Sequence, residues 1–140
     1  MQDNVELYRT LIMDRSREPR FSGRLEVFDV DARGSNPMCG DRIHVFVKRD
    51  GGIVSHESHG CAIMTASADL MAEAVTGKTA SQVSELHKAF EAVVTTGKAD
   101  PSLGDLNALA GVSEYRSRIR CATLPWLTLA DAFEKDSLHG

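Results

Sequence analysis

Long apolar segments are absent from this chain of 140 residues. Its uninterrupted apolar runs are a few residues long, whereas a helix needs about 20 such residues to cross a bilayer. The N-terminus, Met1 to Glu6, is acidic where a secretory signal would carry positive charge followed by an apolar stretch. The sequence therefore predicts a cytoplasmic protein that neither spans a membrane nor is exported.

An excess of positive charge is also missing. The chain has 16 Lys and Arg residues against 20 Asp and Glu residues, a formal net charge of −4 and a pI of about 5.7. Proteins that bind nucleic acid usually present a basic patch or stripe, so nucleic acid is not an expected ligand. With 42% hydrophobic and 26% charged residues, the composition is typical of a globular protein, and the length predicts one domain over residues 1–140.

Cysteine is scarce, and its number is odd. Cys39, Cys61 and Cys121 are spread over the whole chain, so at most one disulfide could form and one thiol would remain. Reduced thiols are the expectation for a cytosolic protein. Taken singly, each cysteine could simply be a small buried side chain of the core.

The hydrophobic periodicity predicts helices packed on a three-stranded antiparallel sheet. Residues 5–14 form an amphipathic pattern that should end before Pro19 and lie against the sheet. Apolar and polar residues alternate over 24–33 and again over 43–48, and the Asp50-Gly51 turn leads into a third strand at Ile53. These three segments indicate an antiparallel arrangement.

Helical spacing replaces alternation after Gly60. One helix should end at Gly77, and a second should follow the capping-box pair Thr79 and Gln82. A short helical turn over 103–109 and a long helix from near residue 113, kinked at Pro125, complete the prediction. Strands followed by helices favour an α+β fold over a parallel α/β sheet.

Four side chains have the chemistry of a metal site. Cys39 and Asp41 lie two residues apart on a predicted loop. Cys61 is at a helix start, where the macrodipole favours the thiolate, and Cys121 follows Arg118 by three residues, so that a guanidinium would do the same. Three thiolates and a carboxylate suit four-coordinate zinc. The chain lacks the local CxxC pairs of zinc ribbons, so the spacing leaves both a shared site and three separate cysteines open.

Six short motifs occur in order along the chain. They are Asn36-Pro-Met-Cys-Gly-Asp-Arg42, Gly60-Cys-Ala-Ile63, Ala66-Ser-Ala68, Gly77-Lys78, Leu103-Gly-Asp-Leu106 and Arg118-Ile-Arg-Cys-Ala-Thr-Leu-Pro-Trp126. Together these motifs resemble the IscU/NifU-type iron–sulfur assembly proteins, and within that family the SufU branch. Arg120 stands where the scaffold branch of the family carries a histidine, and the segment 97–111 resembles an insertion of the SufU branch.

The resemblance implies a function and a set of site residues. It implies a zinc-dependent sulfurtransferase that accepts persulfide sulfur from a PLP-dependent, SufS-like cysteine desulfurase and supplies iron–sulfur scaffold or apo-acceptor proteins. Zinc would be held by Cys39, Asp41, Cys61 and Cys121, with Cys39 accepting the sulfur and Arg118 supporting the site. Whether such an acceptor is itself an enzyme stays open.

Three alternatives remain at this point. His59, two residues before Cys61, is a possible alternative ligand or simply a histidine at a strand end. The same thiolates could instead hold an iron–sulfur cluster on a scaffold protein. The site could also be purely structural, although purely structural zinc sites usually consist of Cys and His alone.

Overall fold

Among the residues that the structure describes, the computed structural model has three strands, four α-helices, a short 3₁₀ turn at Asp50–Gly52 and a long 3₁₀ segment. The structure describes the backbone of residues 2–139 and the side chains of residues 5–136, so Met1 of the acidic N-terminus lies outside it. No described helix is long and apolar enough to cross a membrane. The elements in chain order are α1 (Gln2–Arg17), β1 (Val30–Asn36), β2 (Asp41–Lys48), β3 (Ile53–His59), α2 (Ala62–Val75), α3 (Ala80–Thr96), the 3₁₀ segment (Pro101–Glu114) and α4 (Arg116–His139).

The predicted antiparallel sheet is confirmed, with strand order β1-β2-β3. Its hairpin pairs Lys48 with Ile53 across a turn in which Gly51 and Gly52 have φ values of +83° and +58°. A Cβ atom on Gly52 would come within 2.9 Å of the backbone nitrogen of Gly77, so this turn also fixes the approach of the chain after α2. Glycine is required there for both conformation and space.

The first strand was predicted too early. β1 runs from residue 30 to residue 36, and Val27 of the alternating pattern is 69% exposed. Phe28 lies edge-on to Phe46 of β2 at 5.1 Å between ring centroids, and Arg24 stacks over both rings. The segment before β1 therefore covers part of the sheet's outer face instead of extending its edge.

The core lies between the inner face of the sheet and the helices α2 and α4. Alternate residues of β2 point into it, and α4 approaches β1 closely because Gly34 has no side chain: an added Cβ would collide with Thr128. Burial of apolar surface of this kind is the main favourable term in folding. The central buried side chains are Val45, Met64, Met71, Phe90, Leu109, Trp126 and Leu129.

Helix α1 does not pack on the sheet as predicted; it packs on α2 and the 3₁₀ segment. Leu7 of its apolar stripe is 63% exposed, whereas Arg15 is only 1% exposed. The Arg15 Nε donates to Asp69 Oδ2 at 2.6 Å, and its Nη1 donates to Glu73 Oε1 at 2.7 Å. A charged contact with α2, which hydrophobic periodicity does not register, therefore helps to position α1, together with the packing of Leu11 and Ile12 against the core.

The C-terminal half follows the predicted order with different limits. The capping box of Thr79 and Gln82 at the start of α3 is present. The predicted turn at 103–109 extends to a 3₁₀ segment over residues 101–114, whose Asn107 side chain donates to the carbonyl oxygens of Asp100 and Gly104. Helix α4 starts at residue 116 and continues as one helix through Pro125.

Asp69 joins three parts of the chain through one buried carboxylate. Besides Arg15, it accepts hydrogen bonds from the backbone N–H groups of Arg20 at 2.9 Å and Phe21 at 2.8 Å, and His56 Nε2 lies 3.0 Å away. Burial favours the neutral acid, but the hydrogen bonds from His56, the two backbone groups and Arg15 outweigh it and lower the pKa of Asp69 to about 2.

Replacing Arg15 by methionine should lower the free energy of unfolding by about 3–5 kcal/mol, because it leaves a buried carboxylate without its cation. The measurement is urea denaturation of both proteins. Arg17→Met, an exposed change on the same helix, serves as the control and should cost about 0.5 kcal/mol or less. Equal effects of the two substitutions would contradict the role given to the Arg15–Asp69 pair.

Stability should also fall at low pH because of Asp69. Its pKa is lowered on folding from an ordinary value of 3.8 to about 2, so the unfolded chain binds the proton more tightly. The stabilisation is complete above pH 3.8 and is lost as the pH falls towards 2. Unfolding free energies measured across this range should decline more steeply for the wild type than for Asp69→Asn, and parallel curves would count against this assignment.

Candidate metal centre

Cys39 lies on the turn that joins β1 to β2. The backbone N–H groups of Cys39 and Gly40 both donate to the carbonyl oxygen of Asn36, at 3.1 and 2.9 Å. The Asn36 side chain donates to the Cys39 Sγ at 3.3 Å, and Gly40 has a φ of +74°. The thiol is exposed and is held by a turn instead of a regular element.

Asp41 is the first residue of β2 and is 1% exposed. Its Oδ1 accepts a hydrogen bond from the backbone N–H of Cys61 at 2.9 Å, which ties the end of the hairpin to the start of α2. Gly60 allows this approach, since a Cβ atom there would lie 2.8 Å from Asp41 Cγ and 3.0 Å from Asp41 Cα. The Oδ2 atom lies 3.5 Å from the Cys61 Sγ.

Cys61 is the N-cap residue of α2, as the sequence predicted for a helix start. Its Sγ accepts a hydrogen bond from the backbone N–H of Met64 at 3.4 Å. A side-chain acceptor at this position satisfies one of the free N–H groups of the first turn. The thiol is thereby fixed by the helix end itself.

Cys121 lies on α4 and is 5% exposed. Its Sγ lies 3.8 Å from the Cys39 Sγ. Burial raises the pKa of the Cys121 thiol, and the neighbouring Asp41, Cys61 and Cys39 raise it further. Without a cation, this sulfur therefore keeps its proton.

The structure brings three of the four predicted ligands, Cys39, Asp41 and Cys121, into one group, and Cys61 lies beside that group in contact with Asp41. Single donor atoms of Cys39, Asp41 and Cys121 all lie within 4.8 Å of one another, and Cys61 contacts Asp41. Tetrahedral zinc with Zn–S bonds of about 2.3 Å and a Zn–O bond of about 2.1 Å would separate two sulfurs by about 3.8 Å and a sulfur from an oxygen by about 3.6 Å. The observed separations of 3.8 Å and 3.5 Å fit this geometry.

Arg118 does not act on Cys121 as expected. Its guanidinium stacks over the Tyr115 ring at 4.4 Å, and both residues are exposed. The prediction that it lowers the pKa of Cys121 is wrong, because the buried sulfur is surrounded by acidic groups while the guanidinium lies in solvent. Arg118 lies three residues, about one helical turn, before Cys121 on α4.

His59 is not brought into the group. It ends β3 and pairs with Arg42 of β2, so both point to the outer face of the sheet, while Asp41 points inward. The strand does not continue to Cys61, because the chain turns at Gly60 into α2. His59 instead lines an open groove of about 360 Å³ on the outer face together with Arg42, and its position does not support the alternative-ligand expectation.

The chain matches the family described as "NifU-like N terminal domain" over residues 7–122. It belongs to this family. The resemblance stated from the motifs is therefore confirmed, and the α+β fold agrees with solved structures of relatives. A NifU-like protein (N-terminal) from Brucella abortus has a TM-score of 0.83 and 25% identity, covering 100% of this chain and 99% of that one.

Relatives of this family member carry two different functional names. A Bacillus subtilis (strain 168) protein named zinc-dependent sulfurtransferase SufU is 41% identical over 138 residues, covering 93% of this chain and 91% of the relative. A Streptococcus pyogenes serotype M1 protein named iron-sulfur cluster assembly scaffold protein IscU is 34% identical over 137 residues, covering 94% and 85%. The structure of FiSufU from Fervidobacterium islandicum AW-1 has a TM-score of 0.79 and 34% identity, covering 87% and 93%.

Two residues of the site were not singled out from the sequence. Asn36 anchors the Cys39 turn with both its carbonyl and its side chain, and Gly60 makes room for Asp41. Asparagine at a strand end is a recognised turn signal. The need for glycine before Cys61 depends on where Asp41 lies, which only the fold determines.

Gly60→Ala should weaken zinc binding, because the new methyl group displaces Asp41 from its place beside Cys61. A loss of about 10- to 100-fold in zinc affinity is expected when a residue that positions a metal ligand is changed. Competition with a chromophoric chelator measures it. Gly111→Ala, where an added Cβ meets nothing within 4 Å, is the matched control, and equal zinc affinities in the two variants would contradict the expectation.

Proposed function

We propose that the chain is a zinc-dependent sulfur acceptor that takes persulfide sulfur from a PLP-dependent cysteine desulfurase of the SufS-like type. Cys39, Asp41, Cys61 and Cys121 hold the zinc, and Cys39 accepts the sulfur. Two findings support this. The Cys39–Cys121 sulfur pair and the Cys61–Asp41 pair have separations suited to a tetrahedral ion, and the chain is 41% identical to a protein named as a zinc-dependent sulfurtransferase.

One observation carries the proposal, namely the different anchoring of the four ligands. Asp41, Cys61 and Cys121 belong to a strand, a helix cap and a helix, and none of them can move far without breaking regular structure. Cys39 is exposed on a turn and is held by Asn36. Cys39 is therefore the ligand that can leave the group and reach a substrate.

The chemistry requires Cys39 as a thiolate facing solvent. Zinc held by Cys39, Asp41, Cys61 and Cys121 would keep the coordinating thiols ionised. The Cys39 Sγ, as a thiolate, attacks the outer sulfur of the desulfurase persulfide, and a new S–S bond forms. The old S–S bond breaks, its electron pair stays on the desulfurase cysteine as a thiolate, and the outer sulfur keeps its proton on Cys39.

The other three proposed ligands stay in place while Cys39 carries the sulfur. Asp41 and Cys61 stay joined through the hydrogen bond at 2.9 Å, and Cys121 stays buried beside them. Cys121 is the thiol near enough to form a disulfide with Cys39, and metal coordination would prevent this reaction. The sulfur on Cys39 therefore remains available for an iron–sulfur scaffold or apo-acceptor protein in the cytoplasm.

A scaffold for an iron–sulfur cluster is the second candidate. The same three thiols and carboxylate can ligate iron, and relatives at 34% and 30% identity are named as scaffold proteins. Arg120 is exposed on α4 and adds no ligand to the group. Metal content of the purified protein, measured together with cluster transfer to an apo-acceptor, separates the two functions.

Cys39→Ser should reduce desulfurase turnover to the level of the desulfurase alone, while most of the zinc stays bound by the other three ligands. Elemental analysis and cysteine-dependent sulfide release measure the two quantities. Cys121→Ser is the control, because loss of a buried ligand should remove zinc and activity together.

Two results would contradict this role. Full stimulation by Cys39→Ser would exclude Cys39 as the acceptor. Unfolding of Cys39→Ser, seen as loss of the cooperative urea transition, would instead indicate a structural zinc module.

A further inference from the structure

Three exposed arginines lie at the start of α4, next to the proposed metal group. Arg116, Arg118 and Arg120 fall within the first five residues of the helix, and the buried ligand Cys121 follows directly. Tyr115 lies under Arg118 at 4.4 Å. These four residues are called the basic surface below.

The positive charges of the basic surface lower the free energy of unfolding of the chain by itself. The N-terminal end of a helix carries partial positive charge, and the first turn of α4 contains no acidic residue. Arg116 and Arg120 have i, i+4 spacing, at which like charges repel. Among the residues whose side chains are described, none of the three arginines forms an ion pair.

Exposed apolar groups accompany this charge. Met38, the neighbour of Cys39, is 84% exposed, and Tyr115 is 49% exposed. Methionine, tyrosine and arginine are enriched in protein interfaces, where an apolar centre is surrounded by polar groups. Residues typical of interfaces thus neighbour both Cys39 and the arginines of α4, two segments that meet where the Cys39 and Cys121 sulfurs lie 3.8 Å apart.

We propose that the basic surface docks an acidic surface of the sulfur donor, beside the cysteine that carries its persulfide. This inference rests on the proposed function. Since the chain as a whole has a net charge of −4, a local positive surface orients it so that the Cys39 end meets an anionic partner. The partner's carboxylates would supply the negative charge that the first turn of α4 lacks.

The test is the double variant Arg116→Glu/Arg120→Glu, which leaves Arg118 and all ligands in place. The rate of association with the desulfurase should fall, whereas the stability of the fold should not. Acidic residues at a helix start are favourable, so the urea midpoint should stay equal or rise.

The association rate is the second measurement. Association of the zinc-loaded variant with a purified SufS-like cysteine desulfurase, followed by stopped-flow, should be about tenfold slower or more at an ionic strength of about 0.01 M. The difference should vanish at about 1 M, where the Debye length is about 3 Å.

Arg9→Glu/Arg17→Glu is the matched control. It changes the net charge by the same amount through two exposed arginines of α1, a helix that contributes no residue to the metal group. Its association rate should equal that of the wild type. Equal slowing in both double variants would show a net-charge effect and overturn the proposal, as would an unchanged rate in the α4 variant.

Two further outcomes separate this proposal from the function on which it rests. A wild-type chain that accepts sulfur normally, together with an α4 variant that docks equally fast, overturns the docking surface alone. A wild-type chain that takes no sulfur from the desulfurase overturns both. If the wild type sediments as a salt-sensitive dimer and the α4 variant as a monomer, the surface binds a second copy of this chain, which also overturns the proposal.

Discussion

The hydrogen bond from the Cys61 backbone N–H to the Asp41 carboxylate joins the two halves of the molecule. Asp41 begins the central strand, and Cys61 caps the helix that forms the core beneath it. Because Asp41 is buried, its position depends on this partner and on the absence of a side chain at Gly60. One carboxylate thus serves both as a structural acceptor through Oδ1 and as a metal donor candidate through Oδ2.

The proposed metal group combines three side chains on regular elements with one, Cys39, on a turn. Cys61 and Cys121 are positioned by helices, so their sulfurs are held near Asp41 even without a metal. Cys39 depends on a four-residue turn anchored by Asn36. A site with four equally rigid ligands would favour a structural role, whereas this asymmetry suits transfer of a group to the mobile one.

Charge has two distinct uses in this protein. Inside, the Arg15–Asp69 pair is buried and hydrogen-bonded, and it holds α1 against α2. At the start of α4, three exposed arginines have no ion pair among the side chains that the structure describes, and Cys121 follows them. The first arrangement stabilises the fold, and the second disfavours it unless an anionic partner is present.

The sequence by itself determined the three-stranded sheet, the capped helix α3 and the family, and it singled out the four proposed ligands. Alternation, capping residues and motif resemblance are local properties of the chain. Only the tertiary structure decided that Leu25 and Val27 belong to a covering loop, that His59 faces away from the ligands and that Arg118 stacks on Tyr115. These outcomes depend on which side of the sheet a residue faces and on which distant groups surround it, and neither is encoded in neighbouring positions of the chain.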